Sequence, residues 1–245
     1  MFDIAQKYQA SIFGNFVDIL PAPEIISKVL GLFRDKNLLP GTFQEISPHS
    51  MGPQLRLRLS SQNNEWNVSF ATHRMDVEKN PTELKGKNLG SVDEFVIEAN
   101  LFFNRILTEF SRKANRISLA TGGLLKQMAP EKMENIFSRF FTPIEFYRKT
   151  PPFEWNSRFA SRVVFNFAGT SEQVNAITSI SRVHGHLVEA NTLVSFDRIE
   201  IGFDINTAQE NQETRFDTSS LALFFDEARM LRQNILSELE ALFDA

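Results

Sequence analysis

Apolar residues recur along this chain at two periods, and the periods alternate in blocks. In "TLVSFDRIEIGFDINT", Ile199, Ile201, Phe203 and Ile205 alternate with Glu200, Asp204 and Asn206, the period of a strand with one buried face. In "LPAPEIISKVLGLF", Ile26, Val29, Leu30 and Phe33 recur at three- and four-residue spacings and form one stripe of a helix. Pro23 suits the first turn of that helix, where a missing N–H leaves no hydrogen bond unmade. Carried along the chain, this reading predicts a strand over 10–20, the helix after Pro23, strands in "TFQEIS", "PQLRLRLSS" and "EWNVSFATHRMDVEKN", and a long helix over 91–113. It then predicts a strand in "RISLATGGLLKQM", a helix over 130–141 and a long loop over 142–156. Strands in "RFASRVVFNFAG", "VNAITSISRVHGHLVE" and "TLVSFDRIEIGFDINT" and a closing helix over 218–243 complete the list.

The order of elements repeats, and so do short stretches. Ala22-Pro23-Glu24 returns as Ala129-Pro130-Glu131, each opening an amphipathic helix. "VSFATHRMDVEKN" resembles "VSFDRIEIGFDIN", and "ILTEF" resembles "ILSEL". These echoes predict an α+β fold made by internal duplication of a βαβββα unit, residues 1–113 and 114–245. Each unit then has an antiparallel sheet covered by its own long helix. The loop over 142–156 takes up extra length in the second unit.

"NRISLATGG" at mid-chain, the strand "DRIEIGFDIN" and the closing "LFFDEARMLRQNILSELEALF" together resemble a family of roughly 250-residue bacterial and archaeal proteins, distributed sporadically and without an assigned activity. The resemblance spans most of the chain. It implies no cofactor and no reaction, and its patchy distribution implies a place among mobile or defence-related genes, so that a subunit of a prokaryotic complex is the expected role.

Composition narrows the chemistry. The chain has no cysteine, which removes disulfides, thiolate metal sites and a thiol nucleophile. A net charge of −4 gives no general attraction to phosphate or anionic lipid. No apolar run is long enough to span a bilayer, and "MFDIAQKYQASIF" lacks a signal peptide's basic-then-apolar order, so a cytoplasmic protein without membrane contact is expected. Phenylalanine outnumbers the other aromatics, 24 against 2 Tyr and 2 Trp, which speaks for core or for an apolar contact surface.

Three function classes remain. The first is a non-enzymatic binding or interaction protein, with a protein partner or a second copy of itself and no cofactor. Its contact residues are Phe102, Phe103, Phe224 and Phe225, because adjacent phenylalanines on a helix point about 100° apart and one of each pair is left at the margin of the covered stripe. The loop over 142–156, with Phe146, Tyr147, Phe153 and Trp155, is the competing cover for those margins. The second class is a duplicated saddle lying along nucleic acid, with Arg56, Arg58, Arg158 and Arg162 on the open face of the sheet. The third is a metal-dependent enzyme with its site between the units. His184 and His186 share a strand face, His73 lies on the corresponding strand of the first unit, and Asp76 or Asp197 would have to complete the ligand set. A solvated, salt-bridged sheet face explains Asp76, Glu78, Glu200 and Asp204, interleaved with Arg74 and Arg198, without chemistry. No GxSxG elbow exists, and "TGGLL" lacks the Lys-Ser/Thr of a phosphate loop, so a bulge or close backbone approach is expected at those glycines.

Overall fold

The computed structural model describes residues 2–46, 52–83, 86–167, 170–189 and 192–244. Among these residues nine strands form one antiparallel sheet: β1 (Phe2–Phe13), β2 (Leu39–Glu45), β3 (Gln54–Ser60), β4 (Trp66–Phe70), β5 (Arg74–Lys79), β6 (Arg116–Leu125), β7 (Trp155–Phe167), β8 (Thr170–Glu189) and β9 (Thr192–Thr207). Their order is β2-β3-β4-β5-β1-β6-β9-β8-β7. The helices are α1 (Pro23–Leu32), α2 (Val92–Glu109), α3 (Pro130–Phe140), the five-residue α4 (Glu145–Lys149) and α5 (Thr218–Asp244).

The expectation of duplicated sheets, each under its own long helix, is therefore corrected. β1 and β6 pair from Phe2↔Leu125 to Phe13↔Arg116, which joins the strands of residues 1–113 to those of 114–245 in one continuous sheet. The long helices are not separate covers either. α2 and α5 pack on each other, with Phe103 and Phe225 stacked at 6.0 Å between ring centroids. Pairing β1 with β6 removes two exposed strand edges, and packing α2 against α5 removes two apolar margins; two separate units would have left both in water.

Alternation fixes which face the helices cover. One cross-sheet row runs Leu59, Val68, Val77, Ala10, Leu119, Ile205, Ala176, and every member is buried, on the face against which α2 and α5 pack. The adjacent row, shifted by one residue on each strand, runs Arg58, Ser69, Asp76, Ser11, Ser118, Asn206, Asn175, Arg162. It forms the polar, uncovered face of the sheet. Among the described residues no helix is long and apolar enough to cross a membrane.

Three boundaries differ from the sequence reading. The strand expected over 10–20 is β1, which begins at Phe2 and stops at Phe13; residues 14–22 are loop and turn. The run "EWNVSFATHRMDVEKN" is two strands, because Ala71 N–H closes a tight turn onto Arg74 O (2.8 Å) and sends β5 back along β4. The run containing His184 and His186 is the longest strand of all, β8, supported on both sides by β7 and β9.

Candidate functional site

Most of the charged residues singled out in the sequence are committed to the fold. Arg56 is fully buried: its Nε donates to Phe70 O (3.0 Å), Nη1 to Val17 O (3.1 Å) and Nη2 to Phe16 O (2.7 Å), with Glu45 Oε2 at 3.5 Å. It pins the loop after β1 and cannot reach a ligand. Arg58 donates to Asn67 Oδ1 (3.2 Å), and Arg162 pairs with Glu210. Arg158 is exposed on β7. Asp76 accepts from Ser11 Oγ (2.6 Å), Gln9 Nε2 (3.1 Å) and Arg74 Nε (2.9 Å), and Glu78 pairs with Lys7. The uncovered face is thus a lattice of matched opposite charges and amides rather than a basic surface.

His184 and His186 do share a face, with ring centroids 5.8 Å apart. His186 Nδ1 lies 2.9 Å from Ser195 Oγ, and His184 packs edge-on to Phe153. Asp197 lies opposite His184 in register but takes both of its bonds from Arg182 (2.6 and 3.0 Å). His73 and Asp76 belong to the β4–β5 side of the sheet, and His49 lies outside the described residues. Among the described residues no group of three His, Asp or Glu side chains converges on a metal position.

Phe102, Phe103, Phe224 and Phe225 are each at most 2% exposed. Phe102 tilts onto Phe33 and Trp66, Phe224 onto Phe165, and Phe103 and Phe225 meet each other. Both members of each adjacent pair are used because each long helix faces the sheet on one side and a neighbouring helix on another. Single apolar side chains such as Ile97 and Leu223 remain exposed on the long helices, but a cluster of exposed aromatic rings is found on the loop over 142–156, the competing cover.

That loop builds an aromatic groove of about 800 Å³ beside the sheet edge. Phe137, at the end of α3, stacks on Phe141 (4.9 Å), and both pack on Trp155, the first residue of β7 (6.0 and 5.6 Å). Pro143, Pro151 and Pro152 keep the intervening chain extended around α4. Ile144, Phe146 and Phe153 are left 65%, 62% and 66% exposed on the groove. The Trp155 indole N–H is buried within it and meets no acceptor among the described residues. β7 is the last strand of the sheet, so its outer row of backbone N–H and C=O groups faces away from β8 with no further described strand beyond it.

A second cleft, of about 560 Å³, opens between β1, the start of α2 and α5. Its floor holds Arg232, which is 6% exposed, and its wall Tyr8, whose hydroxyl donates to Gly90 O (3.1 Å). Burial pushes the Tyr8 phenol above its ordinary pKa, and burial also pulls the Arg232 guanidinium below its own. Gly123 makes room here: a Cβ at this position would lie 2.8 Å from the Phe2 ring and 2.7 Å from Ile4 O, where β1 slips register against β6. The glycine of "TGGLL" thus lets the Phe2 ring reach Arg232 instead of cradling phosphate.

Sequence reasoning named Phe146, Tyr147, Phe153 and Trp155 only as a cover for the helix margins, and it passed over Arg232. The Arg232 signal was present: it falls four residues after Ala228 and four before Leu236, inside the buried line of α5. A scan against protein-family models finds no match, and no curated protein matches the chain in sequence.

Proposed function

We propose that this chain is a binding protein that takes an extended segment of a partner protein along the outer edge of β7, with an apolar side chain of that segment in the aromatic groove. The observation that carries this reading is the meeting of exposed aromatic rings with an edge strand that has no further described neighbour, beside Trp155, whose indole N–H is buried without an acceptor among the described residues. A buried donor without a partner costs on the order of 1–3 kcal/mol, and a strand added to an open edge pairs with that edge while its alternate side chains enter neighbouring pockets. An uncovered 13-residue edge strand is otherwise an aggregation hazard that folded proteins cover or interrupt. Matched charges on the uncovered face favour this reading over nucleic acid, whose binding needs unpaired cations to displace counterions.

A displayed library of random peptides selected on the wild-type protein tests it, with counter-selection on Phe146→Ser/Phe153→Ser. Trp66→Phe leaves Trp155 as the single tryptophan reporter. Peptides with a common apolar anchor should shift Trp155 emission and lose binding to the double variant. Enrichment of peptides that bind wild type and variant alike, or of none, would sink the proposal. A dimer by light scattering that the double variant abolishes would make the occupant a second copy and overturn the choice of partner.

A further inference from the structure

Arg232 is the one guanidinium in the described chain that is nine-tenths buried and left mostly unsatisfied. Its Nε donates to Thr121 Oγ1 (2.8 Å), and its plane lies between the rings of Phe2 (5.6 Å) and Phe203 (5.3 Å). Among the described residues no carboxylate lies within ion-pair distance of it and Nε makes its one hydrogen bond, so the Nη nitrogens are left to the cleft that Arg232 lines. Other well-buried arginines differ: Arg215 holds both oxygens of Glu172, Arg182 holds both of Asp197, and each nitrogen of Arg56 donates to a backbone carbonyl. With Nε turned to the sheet, the edge that carries Nη1 and Nη2 is what Arg232 presents to the cleft it lines. Two parallel N–H donors on a planar fork fit the two oxygens of one carboxylate.

The rest of the cleft agrees with an anionic group and limits its charge. The first turn of the 18-residue α2 enters the cleft at Ser91, Val92 and Asp93. Its capping box consumes the Ser91 and Glu94 N–H groups, which leaves those of Val92 and Asp93 as first-turn donors at the positive end of the helix. Asp93, paired with Arg229 (3.2 Å), and Glu240 also line the walls. Carboxylates in the lining disfavour a dianionic phosphate or a polyanion more than a single negative charge. Phe2, Met230 and Leu236 offer an apolar surface for the body of a small molecule.

We propose that this cleft is a binding site for a small organic monocarboxylate, held end-on by the two Nη groups of Arg232 between Phe2 and Phe203, with its apolar body against Met230 and Leu236. The proposal is independent of the aromatic groove, which lies at the β7 edge.

Ligand-observed NMR and thermal-shift titrations of the full chain with phenylacetate, its neutral isostere phenylacetamide, and phenyl phosphate test it. Phenylacetate should bind saturably, and at least about tenfold more tightly than the amide or the phosphate, since a buried charged fork left without its acid is penalised. Arg232→Met should bring phenylacetate down to the amide's level while far-UV circular dichroism stays unchanged. Should that variant fail to fold, the comparison on wild type still decides. Arg232→Lys then serves as a second variant, expected to weaken phenylacetate severalfold because a point charge cannot chelate both oxygens. Equal binding of carboxylate and amide, equal or tighter binding of the phosphate, or no binding of phenylacetate would each overturn the proposal.

Discussion

Arg56, on β3 near one edge of the sheet, and Arg232, on α5 over its middle strands β1, β6 and β9, both lie in the interior, and the chain treats them in opposite ways. Arg56 is ringed by backbone: three carbonyls from two different segments take its donors, and Glu45 stands 3.5 Å away. Arg232 lies between phenyl faces and, among the described residues, bonds once, to a hydroxyl. A buried guanidinium that is fully hydrogen-bonded fastens the elements around it. One that faces a cleft with donors open has had its desolvation partly offset by the rings, at about 1–2 kcal/mol per desolvated cation–π contact, and keeps its directional bonding for something else. The difference separates structural charge from binding charge without any appeal to the residue type.

Two measurements test that difference, and a third tests the anchoring of the helix that carries Arg232. The largest effect is expected at Arg56. Arg56→Met leaves the carbonyls of Phe16, Val17 and Phe70 without their donor, and it should destabilise the fold by about 3–5 kcal/mol in chemical denaturation. A loss under about 1 kcal/mol would show that the loop after β1 does not depend on it. The middle effect is at Arg232. Arg232→Met exchanges one hydrogen bond and two ring contacts for an apolar side chain of similar length, so unfolding free energy should stay within about 1 kcal/mol of wild type. If this variant were as damaging as Arg56→Met, Arg232 would be a fastener too and the contrast would collapse.

The smallest effect concerns the helix that carries Arg232. α5 is capped by Asp217, whose Oδ1 accepts from the Ser219 and Ser220 N–H groups and from both hydroxyls. The Ser219 hydroxyl is the leading cause, followed by the Ser220 N–H, of a carboxyl pKa lowered to about 2 from the ordinary 3.8. A depressed folded-state pKa means that the cap's contribution is complete above the unfolded value and is lost as pH falls from near 4 towards 2. Asp217→Ala should cost about 1 kcal/mol at neutral pH and flatten the stability profile over that acid interval. An unchanged profile would show that the cap does not titrate with folding.

Much of the fold could be read from period alone. Ile199, Ile201, Phe203 and Ile205 are buried as their alternation predicts, and α2, α3 and α5 occupy the stretches their apolar stripes marked. Reading failed where a residue's role depended on partners distant in sequence. Arg56 and Arg58 looked equivalent because both point to the same face of β3, yet the loop after β1 covers one and leaves the other half-exposed. The phenylalanine pairs looked like exposed margins because a helix on a sheet needs one stripe; α2 and α5 need two, since they also face each other.

The sequence by itself determined which residues alternate, where helices start and stop, and that the chain has a phenylalanine-rich interior, because those follow from local periods and caps. Tertiary structure decided that the strands join in one sheet through β1 and β6, that Trp155 and its neighbours are left at an open edge, and that Arg232 looks into a cleft beside Tyr8 and the start of α2. Hydrogen-bond satisfaction of a buried group depends on segments that approach from far along the chain: Thr121 meets Arg232 across 111 residues, and Phe16 meets Arg56 across 40. No local pattern records which of those donors will find an acceptor.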